Sequence, residues 1–287
     1  MNVRWAWLGL VAVGVACSGA QEELDAGTDA SIDATALDVA TESATDAPVD
    51  APADDGGITG GPSKCNGATY RLCDGFEGAS IDKSLWAMTL TKNATVQIDS
   101  THVARGKSAL WVHTGLGDAG DPAGTIGDLR TTHNFPFPND DIWGRAFVYM
   151  ANQSPDMHTN MIEAVGNLAG DAGQSHYRIG VSTNHVIAGN YIPGDYADHS
   201  STTMPLDQWV CFEWHFDGKN SEYHFYLSGS ELTDMAILSD ASPAWTAPPF
   251  DYVELGLHLY HDLTTIPTLD VWYDEVALDT SRIGCAN

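Results

Sequence analysis

The sequence predicts an all-β fold of two packed antiparallel sheets, and three observations carry that expectation. From about Cys65 onward, short runs of β-branched and aromatic residues alternate with clusters of Gly, Asp, Asn and Pro. No long stretch repeats its apolar residues at the 3.6-residue helical period. Residues 209–228 alternate apolar and polar side chains on both sides of a Gly218-Lys219-Asn220 turn, the pattern of a β-hairpin. Many short strands separated by turn residues build sandwiches and barrels. A single β unit of about 220 residues is an ordinary size for such a domain.

In chain order, the first element reads as an export signal. Arg4 precedes an apolar run from Trp5 to Ala16 that is too short to cross a bilayer, which takes ~20 residues. The run ends Val13-Gly14-Val15-Ala16-Cys17-Ser18-Gly19, which resembles a bacterial lipoprotein box with Gly14 in place of the usual branched residue. The resemblance implies cleavage before Cys17 and its acylation; ordinary signal-peptidase cleavage nearby is the alternative. Residues 1–17 are therefore expected to be a signal peptide. Residues 18–64 follow as an acidic linker rich in Ala, Asp and Thr and free of aromatics, which buries too little apolar surface to offset its ordering entropy. Residues 65–287 are expected to be the folded domain. Cys65, Cys73, Cys211 and Cys285 are an even set in an exported chain and suggest two disulfides, with three pairings open.

Candidate strands fall at 94–99, 107–113, 143–150, 176–182, 209–217, 222–228, 251–260 and 269–278. In the hairpin, Val210, Phe212, Trp214 and Phe216 share one face with core character, and Glu213, His215, His224 and Tyr226 lie on the other. Strand 252–260 repeats the design, with Val253, Leu255, Leu257 and Leu259 against Glu254, His258 and Tyr260. Strand 176–181 sets Tyr177, Ile179 and Val181 against His176 and Arg178. Polar faces rich in His, Tyr, Arg and Glu suit sugar hydroxyls and ring stacking, although an ordinary wet sheet face is the plain alternative.

Charge narrows the functions. The chain has 39 Asp and Glu against 12 Lys and Arg, a net charge of −27. Eleven of the acids lie in residues 21–57, so the body from residue 58 keeps a net −17. Nucleic acid is excluded as a partner, because its recognition takes a basic footprint. A membrane is expected to be met only through the N-terminal lipid. A polyuronate is repelled at long range, though salt screens that field over ~8 Å. No Gly-x-Ser-x-Gly nucleophile turn and no phosphate-binding Gly loop occurs.

Four segments bear a family resemblance: Leu72-Cys73-Asp74-Gly75-Phe76-Glu77, Ala104 to Leu110, Trp209 to Gly218, and Tyr273 to Asp279. Together they resemble the concanavalin A-like lectin/glucanase jelly rolls, and within them the Cip1-like, polysaccharide-lyase-like branch. The resemblance implies two curved sheets with a glycan groove and a structural Ca²⁺ held by acids of the first and last strands, here Glu77 and Asp274. On the sequence, Asp274 shares parity with Trp272, Val276 and Leu278 and so reads as core-facing. A buried Asp needs a metal, a hydrogen-bond network or a partner such as Arg282. Lyases of this branch split uronate polymers by β-elimination, which needs a carboxylate partner, a base and an acid. The candidates are Arg178 or Arg130 for the carboxylate, His158 as base or charge stabiliser, and Tyr191 as base and acid; the reading requires Arg178, His158 and Tyr191 to converge. Arg130, Glu213, His215, His258 and Tyr260 are expected to bind substrate. The expected protein is thus an exported polysaccharide-binding or -processing monomer, at the outer membrane or cell surface or secreted. A non-catalytic carbohydrate-binding or adhesive module, with Tyr191, Trp214 or Trp245 as stacking platforms, is the rival. A glycoside hydrolase, in which Glu254 meets Glu213, is the second.

Overall fold

The computed structural model describes residues 58–286, except 92, 116–125, 152–157, 169–174, 193–195, 241–245 and 260–267. Residues 1–57, including Cys17, lie outside the described residues, as do Trp245 and Tyr260. The strands are β1 (Leu72–Asp74), β2 (Ala87–Leu90), β3 (Ala94–Asp99), β4 (Ala109–Thr114), β5 (Ile126–Thr131), β6 (Asp141–Met150), β7 (Thr159–Gly166) and β8 (Ser175–Val181). They continue as β9 (Val186–Ile192), β10 (Tyr196–Thr203), β11 (Trp209–Asp217), β12 (Glu222–Leu227), β13 (Ser230–Glu231), β14 (Phe250–Leu259) and β15 (Leu269–Asp279). Two antiparallel sheets result. The front sheet has the order β10-β9-β8-β7-β14-β5-β2, and the back sheet β13-β12-β11-β6-β15-β4-β3, with β1 added along β15.

Period-2 alternation explains the layering. In β11 and β14 the residues expected to be core-facing, Phe212, Trp214 and Phe216 with Val253, Leu255 and Leu257, are buried between the sheets. Tyr177 of β8 stacks on Phe216 and Tyr223 at 5.4 Å each, which ties the front sheet to the hairpin of the back sheet. The expected hairpin forms, with Trp214 opposite Phe225 and His215 opposite His224. Trp214 fits only because Gly144 lies opposite it: a Cβ there would stand 1.9 Å from the indole.

Packing begins inside the stretch read as linker. Ile58 is buried against Ala104, Phe147 and Cys211 on the outer side of the back sheet. The same side is stapled by two disulfides, Cys65–Cys73 and Cys211–Cys285, which hold the segments before β1 and after β15 on the sheet.

Parity fails in β15. Trp272 faces outward, opposite Tyr149 and Trp111, whereas Val276 and Leu278 are in the core. A register shift between Asp274 and Ala277, with Glu275 at φ 55°, inserts an extra residue and turns the second half of the strand over. Asp274 therefore lies on the outer side, where the 104–105 turn covers it.

Candidate functional site

On the outer face of the front sheet, register sets Arg130, Glu254, Glu163, Arg178 and Asn190 side by side on β5, β14, β7, β8 and β9. Directly opposed residues of neighbouring strands hold their Cβ atoms about 4.5–5.5 Å apart, so the two glutamates are close neighbours. Like charges at that spacing need compensation. Arg130 supplies it to Glu254, with Nε and Nη2 donating at 2.6 and 2.5 Å, while its guanidinium lies 3.9 Å over the Tyr252 ring. Arg178 stands 3.4 Å from Glu163, and His176 Nδ1 is 3.1 Å from the same carboxyl.

Paired irregularities shape the neighbouring row. The pairing of β7 with β14 shifts between Leu255 and His258, and that of β7 with β8 between Asn160 and Ile162. Such bulges re-aim side chains. Gly256 makes this one possible: its φ is +153°, and a Cβ there would meet Gly127 O at 2.2 Å. From the core side, the Tyr273 hydroxyl donates to Gly256 O at 2.6 Å and pins the bulge. The result is a pit lined by Asp128, Asn160, Glu163, Glu254 and His258, with a volume of about 10 Å³. That is room for about one water, so a polymer has to lie across the pit rather than enter it.

Burial sets the proton chemistry of this site. Glu163 is pushed up to about 7 by loss of solvent, which outweighs the nearby Arg178 cation. Asp128 rises to about 6 through burial and then the Glu254 charge. His258 falls to about 4 and His176 to about 3, each first through burial and then through Arg178. Near neutrality the imidazoles are therefore uncharged, and Glu163 is divided between its acid and its anion.

The residues expected from sequence are distributed unevenly. Arg130, Arg178 and His258 share the front face. His158 immediately precedes β7, two positions from Asn160. Tyr191 does not join them: it pairs with Tyr177, is 4% exposed and belongs to the core, because it has the opposite parity to Asn190. The expected convergence of Arg178, His158 and Tyr191 thus loses its tyrosine. Glu213 and His215 lie on the outer side of the other sheet, since β11 belongs to the back sheet. Glu213 is fully buried there, accepting from Arg282 Nη2 and Gly284 N at 3.0 Å each, and so anchors the C-terminal segment. His215 stacks on Trp143 at 4.1 Å and bonds Asp141 at 2.7 Å. Trp214 is core. Glu254 meets Glu163, not Glu213. Glu163 was the residue missed. It is a lone acid inside the apolar run Met161-Ile162-Glu163-Ala164-Val165, and a charge in such a run is itself a signal of a satisfied or functional buried group.

Glu77 and Asp274 approach one loop from two sides. Glu77 accepts from Lys107 N and Ser108 N, and Asp274 from Ala104 N, Arg105 N and Glu275 N, at 2.7–3.4 Å. Arg282 bonds Glu213 instead of Asp274. The oxygens are of the kind Ca²⁺ takes, and burial pushes Asp274 up to about 8, a shift that a bound dication would reverse. Among the described residues, Cys211, Glu213 and Cys285 are also clustered, but both sulfurs are consumed by their disulfide and offer no thiolate.

No protein-family model and no curated protein matches the sequence. Solved structures do. "Cellulose induced protein, Cip1" superposes with a TM-score of 0.58 at 21% identity over 75% of this chain and 99% of that one. An endo-β-1,4-glucuronan lyase from the fungus Trichoderma reesei gives 0.57 at 15% identity over 74% and 96%. A structure published with endo-acting O-glycanases of the human gut microbiota gives 0.52 at 12% identity over 75% and 100%. With its two antiparallel sheets in this order, the chain has the concanavalin A-like jelly-roll fold.

Proposed function

We propose that the protein binds a uronate-containing polysaccharide across the front sheet and cleaves it by β-elimination. The observation that carries this reading is a pit lined by the uncharged imidazole of His258 and the half-protonated Glu163, with the cation Arg178 beside it, 3.4 Å from Glu163. In the proposed reaction Arg178 pairs with the uronate carboxylate and spreads the negative charge that develops beside it. His258 takes the C5 proton. The electrons of that C–H bond form the C4=C5 double bond, the C4–O bond breaks, and Glu163 protonates the leaving oxygen. His258 is a weak base in the free protein because it is buried and, secondly, because the Arg178 cation is near it. A uronate seated on Arg178 offsets that cation and raises the imidazole when substrate is present. The glucuronan lyase among the similar structures is a further support for this choice of chemistry.

The test is the ultraviolet absorbance of the unsaturated product during incubation with glucuronan, alginate and pectate. Absorbance should grow with at least one polymer and be lost in His258→Ala and Arg178→Ala. A flat trace on all three refutes elimination on these polymers. A second reading has its own observation: Glu163 stands directly opposite Glu254 on the neighbouring strand, and a retaining glycosidase uses two carboxyls about 5–5.5 Å apart. New reducing ends without unsaturation would establish that reading. Retention on a glycan column with neither product would establish the binding or adhesive module.

Two further elements belong to the proposal. A structural Ca²⁺ held by Glu77 and Asp274 would tie the segment after β1 to β15. A rise in Tm with Ca²⁺, reversed by chelator and absent in Asp274→Asn, tests it. Export with acylation at Cys17 is tested by metabolic labelling with a fatty acid and its loss in Cys17→Ser.

A further inference from the structure

The outer side of the back sheet carries four of the six tryptophans among the described residues: Trp111, Trp143, Trp209 and Trp272. Three of them form a straight row with a tyrosine. Trp209 lies opposite Tyr149, Tyr149 opposite Trp272, and Trp272 opposite Trp111, on β11, β6, β15 and β4. Four neighbouring strands make this row about 14 Å long. Trp209, Tyr149 and Trp111 are half-buried, so the row meets solvent, and Trp272 lies deeper at 7% exposure. His102 covers the middle, 4.4 Å from the Tyr149 ring and 4.1 Å from Trp272, and His113 flanks Trp111 at 5.4 Å.

The rings are held in place by acids. Trp272 Nε1 donates to Asp99 at 2.9 Å, and Trp111 Nε1 to Asp270 at 2.8 Å. An indole fixed by its N–H presents its ring without further ordering cost, and the carboxylate beside it is an acceptor for a hydroxyl. Ring faces bordered by carboxylates match the apolar C–H faces and hydroxyl rims of uncharged sugars. The same acids, on a body of net −17, repel a polyuronate, an anionic bilayer and a second copy of the chain.

We infer that this row is a second carbohydrate-binding surface, on the opposite side of the sandwich from the charged pit and selective for neutral polysaccharide. The two faces then divide the work: the back holds an uncharged matrix polymer while the front meets an acidic one. The inference does not depend on the elimination chemistry.

The experiment is affinity electrophoresis of the full chain through gels containing xylan, mannan, β-glucan or polyuronate, with wild type, Trp111→Ala, Trp209→Ala and His258→Ala. Wild type should be retarded by at least one neutral polymer. Each tryptophan variant should bind it about tenfold more weakly, the scale of one lost stacking contact of about 1.4 kcal/mol, and His258→Ala should bind it like wild type. Quenching of wild-type tryptophan fluorescence by the soluble oligosaccharide reads the same binding without a variant, should one fail to fold. No retardation and no quenching with any neutral polymer overturns the inference, as does retardation untouched by both tryptophan changes. A shift from dimer to monomer in sedimentation of the variants, or binding of wild type to phosphatidylglycerol vesicles that the variants lose, assigns the row to another occupant and likewise overturns it.

Discussion

Glu163→Gln isolates the electrostatic cost built into the front face. In the folded protein the carboxyl is pushed up from 4.5 to about 7 by burial. The sign follows from linkage: the folded state binds this proton more tightly than the unfolded one, so the associated stability is fully present below about pH 4.5 and is lost as pH rises through about 7. A shift of about 2.5 pKa units corresponds to about 3 kcal/mol. Gln matches the protonated acid in shape and cannot ionise. The variant should therefore equal wild type near pH 4 and exceed its stability by up to about 3 kcal/mol near pH 8. His176 works in the opposite direction: lowered from 6.5 to about 3, it contributes stability above about pH 6.5 that is lost as pH falls through about 3. The wild-type curve is consequently flattened between those limits, and the difference between variant and wild type is the informative quantity. Urea unfolding with disulfides intact, at unit pH steps, measures it. A difference that does not change with pH would refute the assignment of a buried, proton-binding Glu163.

Three other predictions follow from the same geometry. The kcat/KM profile on the cleaved polymer should be a bell with limbs near pH 4 and pH 7, from His258 and Glu163; Glu163→Gln should lose the alkaline limb and about 10²- to 10⁴-fold in rate, read from initial velocities. Tyr191→Phe should leave kcat/KM unchanged, because that ring is in the core; a large loss would place it in the chemistry after all. Replacing Cys211 and Cys285 by Ala should cost about 4 kcal/mol and replacing Cys65 and Cys73 about 2.5 kcal/mol in chemical unfolding, since the first pair spans 74 residues and the second 8.

Sequence order made some of this visible and hid the rest for physical reasons. The β11–β12 hairpin and the two faces of β14 and β8 were legible because alternation is a local property. Strand β7 was not: each of its eight residues is buried, so Thr159–Gly166 shows no alternation to read. That strand carries Glu163, the centre of the site. Sheet membership is not local either. Glu213 and His258 both stand on polar faces, and only the long-range order β11-β6 and β7-β14-β5 puts them on opposite sides of the sandwich. The bulge at Asp274–Ala277 is one inserted residue, which period counting across β15 passes over, and it reversed the faces expected for Trp272 and Asp274.

The central claim concerns how the polymer chain is broken. Mass spectrometry of glucuronan fragments produced in heavy-oxygen water decides it directly. Elimination through Arg178, His258 and Glu163 predicts one unsaturated fragment short of a water, with no heavy oxygen in any product. Incorporation of one heavy oxygen per cut, with both fragments saturated, would contradict it and transfer the site to the Glu163–Glu254 pair.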